Sequence, residues 1–136
     1  MLNSLKQSKA FYLLVFVIYF FSVTIYAQKR IPKPNSLVVA EQFKNPIGFY
    51  NKAPNFSWKL PVHAQVKSQH AYQIRVASSL KLLNNKCDLW DTGKQNSSKS
   101  NWIAYKGKPL QSRQKVYWQV RYWNQNKKKS NWSTVN

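Results

Sequence analysis

A chain of 136 residues has room for one ordinary domain, and with 43% hydrophobic and 15% aromatic residues it can close a small core, which excludes disorder as the state of its middle. One cysteine, Cys87, excludes an internal disulfide, and three acids, Glu41, Asp88 and Asp91, leave little material for carboxylate chemistry. The net charge of +19 favours anionic partners, whether nucleic acid, acidic polysaccharide or an anionic cell envelope, and says nothing of fold.

Residues 1–27 read as a signal peptide. Lys6 and Lys9 form a positive head, Phe11 to Phe21 is unbroken apolar sequence, and Ala27 before Gln28 marks the expected cleavage site. Export to the periplasm or the extracellular space is the consequence. If the segment stays uncleaved it becomes a membrane anchor, since Phe11 to Ala27 approaches the roughly 17–25 residues of a spanning helix. No cysteine follows the apolar run, so a lipid anchor at that point is excluded. Cleavage takes Lys6 and Lys9 with it and leaves a mature part, 28–136, at +17.

From Gln28 to Asn55 the sequence reads as a linker that turns into a domain edge, with Ile31-Pro32-Lys33-Pro34 extended, a first strand over Ser36 to Ala40, and a turn at Pro46 and Gly48. Period-two alternation then carries the fold. Phe56 to Leu60 alternates until Pro61; in Ala71 to Ser78, Tyr72, Ile74 and Val76 share one face against Gln73 and Arg75. Short strands follow at Leu89 to Thr92 and at Trp102 to Tyr105, with a helical turn at Leu80 to Asn84. Val116, Trp118, Val120 and Tyr122 make the longest one-sided stripe, opposite Tyr117, Gln119, Arg121 and Trp123, and Lys127-Lys128-Lys129 reads as a solvated hairpin loop. The pattern predicts an all-β fold, an antiparallel sandwich of about seven strands in about 100 residues.

The chemistry-bearing motifs fail one by one. Asp91-Thr92-Gly93 is the triplet of aspartic proteases, but the only later glycine, Gly107, follows Tyr105 and Lys106 and not the apolar pair that would support the loop. Glycoside hydrolysis needs two carboxyl groups facing each other across the bond, and Asp88 and Asp91 point to opposite faces of an extended segment. His63 and His70 lack a serine and an acid to complete a triad, and no third ligand is spaced for a metal. No cofactor motif is present. The interleaved Tyr117 to Trp123, followed by lysines, has the look of a stacking platform, but Trp118, Val120 and Tyr122 must fill the core. That leaves Tyr117, Arg121 and Trp123 as the exposed contact face, and export removes the usual cytoplasmic nucleic acids as partners.

Taken in order, Asn45-Pro46-Ile47-Gly48, Pro54 to Leu60, Ala71 to Ser79, Leu89 to Lys94, Tyr105-Lys106-Gly107, Tyr117 to Arg121 and Ser130-Asn131-Trp132-Ser133 form a set with characteristic gaps. The set resembles the N-terminal fibronectin type III-like module of bacterial α-L-rhamnosidases over roughly Leu37 to Ser133. The resemblance implies an accessory, structural or orienting role beside a catalytic domain whose carboxylates sit in a separate α/α barrel, so none is carried onto this chain. Departures are Val116-Tyr117 in place of two aromatics, which puts a tyrosine-corner bond at 116 in doubt, and Asn124 in place of an aspartate, with Asn126 as the expected left-handed turn residue. With Asn136 close behind Trp132-Ser133, a fragment with an incomplete last strand is expected, its partner strand left partly unpaired as an edge. The rival reading is an independent envelope-associated module that binds acidic glycans through its charge.

Overall fold

A computed structural model describes residues 30–40, 43, 44 and 51–136. The expected signal segment with its Ala27/Gln28 junction, Glu41, and the expected turn at Pro46 and Gly48 lie outside the described residues. Within them the chain forms β1 (Asn35–Val39), β2 (Asn55–Lys59), β3 (Gln69–Ala77), one helical turn α1 (Leu80–Asn84), β4 (Trp90–Asp91), β5 (Ile103–Ala104) and β6 (Tyr117–Asn124). These pair into two antiparallel three-stranded sheets, β1–β2–β5 and β4–β3–β6.

Alternation decides which side chains meet between the sheets. On β2, Phe56 and Trp58 turn inward and are buried. The β3–β6 register sets Ile74 opposite Val120 and Val76 opposite Trp118, so the inward residues of the two longest strands line up in pairs. Leu37, Ile103 and Tyr105 complete the core. The Phe56 ring lies 4.6 Å from that of Trp118, joining one sheet to the other. Each such side chain contributes about 1.5–3 kcal/mol by leaving water.

Two details fix the crossings between sheets. The buried Gln69 amide accepts from Trp58 Nε1 at 3.0 Å and donates to the carbonyls of Ser97 and Lys99, which pins the segment running from β4 to β5. Gly107 packs so closely that a Cβ there would stand 2.6 Å from the Leu89 carbonyl oxygen and from Trp90 Cβ. The turn α1 starts where Ser79 Oγ accepts from the Leu82 amide, and its buried Leu83 faces β3 and β6.

Three expectations change. The stretch around Ile31 to Pro34 is no free linker: Ile31 and Pro34 are buried, Ile31 bridges to Ser130, and the Tyr122 hydroxyl donates to the Pro32 carbonyl at 2.9 Å. Apolar side chains in an otherwise polar segment found cover at the end of the sandwich. Burial pushes the Tyr122 phenol up to about 12, so it stays a protonated donor. This bond comes from Tyr122 and owes nothing to position 116.

Second, the outer edge of β6 is not left open. Residues 130–136 run antiparallel along it, with the Ser130 amide on the Tyr122 carbonyl, the Ser133 amide on the Val120 carbonyl, and Asn136 exchanging two bonds with Trp118. In between, the hydroxyls of Ser130 and Ser133 accept from the amides of Tyr122 and Val120, both at 3.1 Å. The serine side chains do part of the work of a ladder, and for that reason the segment does not read as a regular strand. Third, the residue in the left-handed conformation after β6 is Lys127, φ +57, and not Asn126. The Asn124 carboxamide oxygen accepts from the amides of Asn126 and Lys128 and folds the turn one residue later than the sequence implied.

Candidate functional site

The outward face of the β4–β3–β6 sheet carries the densest cluster of charged and aromatic side chains. Register places Gln73 opposite Arg121, Ala71 opposite Trp123, and Arg75 between Gln119 and Asp91. Over this row the terminal segment lays Trp132, whose ring centre is 4.3 Å from the Arg121 guanidinium carbon and 4.8 Å from that of Arg75. Arg121 also stands 5.4 Å from the Trp123 ring, and the Lys94 ammonium is 5.2 Å from the same ring. Cations and indoles thus form one connected ladder of the kind in which a positive charge meets the negative face of a ring.

Polar bonds tie the ladder to the sheet. Gln73 donates to Asp91 Oδ1 at 2.6 Å and accepts from both Arg121 Nε and Nη2. Asp91 takes Arg75 Nε at 3.0 Å on its other oxygen and the Gly93 amide at 2.9 Å. Partial burial works to raise the Asp91 carboxyl, but the bonds from Gln73, Gly93 and Arg75 outweigh it and hold the group below its ordinary value. Arg121 is lowered by partial burial first and by the like charge of Arg75 second, with Asp91 opposing. Two guanidinium groups are therefore held near one another by an acid, an amide and a ring.

Of the residues expected to form an exposed contact face, Arg121 and Trp123 do come together, but both are half-buried within the ladder. Tyr117, also half-buried, sits farther along β6 opposite Ala77, with the Lys115 ammonium 5.2 Å from its ring. Trp132 is the member that sequence reasoning passed over. Its signal was the pair of serines around it, spaced to bond one strand while the tryptophan turns onto the arginines of that strand and the next.

The remaining candidates are engaged elsewhere. Asp88 accepts from the Ser78 amide at 3.0 Å and from the Ser78 hydroxyl, and the hydroxyl bond is the main reason its carboxyl is lowered. Asp88 and Asp91 therefore serve different neighbours and do not face each other across a cleft. His63 accepts from the Gln65 amide at an exposed turn. Cys87 is half-buried, its thiol raised chiefly by burial and directed at the Leu83 carbonyl. Among the described residues no group of His, Cys, Asp and Glu is placed to hold a metal ion.

Residues 35–136 match the family described as Rha78A-like, N-terminal immunoglobulin domain. The chain is 54% identical over 124 residues to an α-L-rhamnosidase of Formosa agariphila and 46% identical over 104 residues to one of an Alteromonas species. These alignments take in 91% and 76% of this chain but only 13% and 11% of the relatives. Among solved structures, the α-L-rhamnosidase from Dictyoglumus thermophilum matches 79% of this chain and 12% of its own, with TM-score 0.73 and 41% identity. That of Streptomyces avermitilis, complexed with L-rhamnose, matches 76% of this chain and 10% of its own, with TM-score 0.71 and 36% identity. The two-sheet architecture, the ladder and the terminal clamp all lie within the part of this chain that the family match spans.

Proposed function

The chain belongs to the family of Rha78A-like N-terminal immunoglobulin domains, and on that premise we propose that it is the non-catalytic accessory module of an exported α-L-rhamnosidase. Its partner is the catalytic domain of that enzyme. The signal segment 1–27, with processing between Ala27 and Gln28, supports a periplasmic or extracellular location.

The observation that carries an orienting role is the clamp on residues 130–136. A segment joined to β6 by backbone and serine bonds, and weighted down by Trp132 on two arginines, leaves the sandwich in a fixed direction. In an enzyme of which this module is a tenth or so, the neighbouring domain inherits its direction from the clamp. The module would then act by holding that neighbour in a fixed orientation.

A graft tests this. In the Formosa agariphila relative, deleting the matching N-terminal part is expected to lower soluble yield and heat resistance, and replacing it with residues 30–136 of this chain should restore both. The purified chain alone should not hydrolyse an aryl α-L-rhamnoside. A graft no better than the deletion, or turnover by the chain alone that Asp91→Asn abolishes, would contradict the proposal.

A further inference from the structure

Of the six tryptophans, Trp58, Trp90 and Trp118 pack in or against the core and Trp123 and Trp132 belong to the ladder. Trp102 is different. It is 50% exposed, and among the described residues no ring or cation stacks on its indole. Its backbone sits at φ +55, a conformation that bulky residues rarely adopt. Two bonds tie this stretch to β2: the Trp102 amide donates to Ser57 Oγ at 3.0 Å, and the Trp58 amide donates to the Ser100 carbonyl at 2.9 Å. The fold spends strain to hold a large indole out in water.

The surroundings of that indole form the outward face of the β1–β2–β5 sheet. Ile103 and Tyr105 are buried, so Trp102 and Ala104 turn outward, and Lys106, just past the end of β5, is exposed as well. Beside it runs the outward row of β2, Asn55, Ser57 and Lys59, with Val38 opposite Ser57. Lys59 and Lys106 stand at the two ends with Trp102 between them. The two acids among the described residues, Asp88 and Asp91, belong to the other sheet or its approach and are already bonded. Among the described residues the face therefore presents one aromatic platform, small polar neighbours, and a lysine toward each end with no acid bonded to it.

We infer that this face binds an acidic polysaccharide, with Trp102 stacking on one sugar ring and Lys59 and Lys106 receiving carboxylate or sulfate groups along the polymer. A pyranose turns a row of C–H bonds to the negative face of an indole, and its hydroxyls suit Asn55 and Ser57. A protein partner fits less well. Among the described residues Trp102, Ala104 and half-buried Val38 give an apolar patch about one ring wide, whereas a stable protein interface buries about 800 Å² on each side. An extended polyanion also suits lysines set toward the two ends of the row and the charge of +17 on residues 28–136.

The test is a titration of the purified chain with polygalacturonate and, in parallel, with neutral dextran, at about 0.15 M salt where diffuse attraction is screened. The acidic polymer should bind and the neutral one should not. Trp102→Gly suits the left-handed backbone and should leave the melting temperature unchanged or higher while weakening binding about tenfold, the worth of one aromatic stack. Neutralising Lys127, Lys128 and Lys129 together removes more charge from an exposed turn elsewhere and should alter binding far less. Absence of binding, equal binding of dextran, or full affinity in the Trp102→Gly chain would overturn the inference. So would a loss in the lysine variant as large as that in Trp102→Gly, since charge alone would then explain binding. Association of a rhamnosidase catalytic part with this face, dependent on Trp102 and not displaced by the polymer, would assign the face to a protein and also overturn it. None of these outcomes touches the accessory role, which rests on the clamp at the opposite sheet.

Discussion

On the β4–β3–β6 sheet the outward residues Ala71, Gln73 and Ala77 are buried, while on the β1–β2–β5 sheet the outward residues Lys59, Trp102 and Ala104 stand in solvent. Both faces follow the same alternation of side chains. What separates them is what the chain lays over each afterwards: α1 and the terminal segment cover the first, and nothing among the described residues covers the second. Alternation gives the direction of a side chain, and later segments give its burial. A polar residue such as Gln73 is thereby turned from a surface residue into the amide that joins Asp91 to Arg121.

The contrast breaks most easily at its two tryptophans. Trp132→Ala removes two cation–ring contacts together with the half-buried indole that makes them, and is expected to cost about 2–4 kcal/mol, lowering the melting temperature by about 10 °C or more. Trp102→Ala, on the open face, should change stability by no more than about 0.5 kcal/mol. Chemical denaturation of the two variants side by side measures the difference. Equal losses would mean that both faces contribute alike and that the ladder has no special place in the fold.

A smaller effect sharpens the same comparison through pH. The Asp91 carboxyl lies below its ordinary value of 3.8 in the folded chain, so its bonds stabilise the fold above that value and are lost as pH falls through the folded value. Stability should therefore drop on acidification, with the loss beginning below about pH 5. Asp88 is lowered as well, so the wild-type curve alone mixes two groups. The difference between wild type and Asp91→Asn isolates the ladder: it should be largest near neutrality and vanish at the acid end. A difference that stays constant with pH would show that Asp91 acts only by its shape.

Much of this was legible in the sequence, and for a physical reason. Trp118, Val120 and Tyr122 on one side of a strand, or Phe56 and Trp58 on another, state their direction locally, so the strands and their inward residues came from period two. The turn of Leu80 to Asn84 was equally local, contained within one short leucine-rich stretch. The ladder was not local. Arg75, Arg121 and Trp132 come from three separate segments, and each alone reads as an ordinary surface residue. The edge expected to lie open along β6 failed for a related reason: Ser130 and Ser133 look like loop residues until their hydroxyls are set against the amides of Tyr122 and Val120. Ile31 and Pro34 were misread as linker because their cover, the far end of β6, lies about ninety residues away in sequence.

The most direct test of the clamp is native-state hydrogen exchange at single amides, comparing wild type with Trp132→Ala. In wild type, the amides of Tyr122, Val120, Ser133 and Asn136 should be protected, as should that of Trp58 on the opposite sheet. In Trp132→Ala, the four amides of the clamp should exchange at least about tenfold faster relative to Trp58 than they do in wild type, as expected for a segment that opens without the rest of the domain. Protection that falls by the same factor at Trp58 and at the clamp, or not at all, would contradict the claim that the ladder is what holds the terminal segment in place.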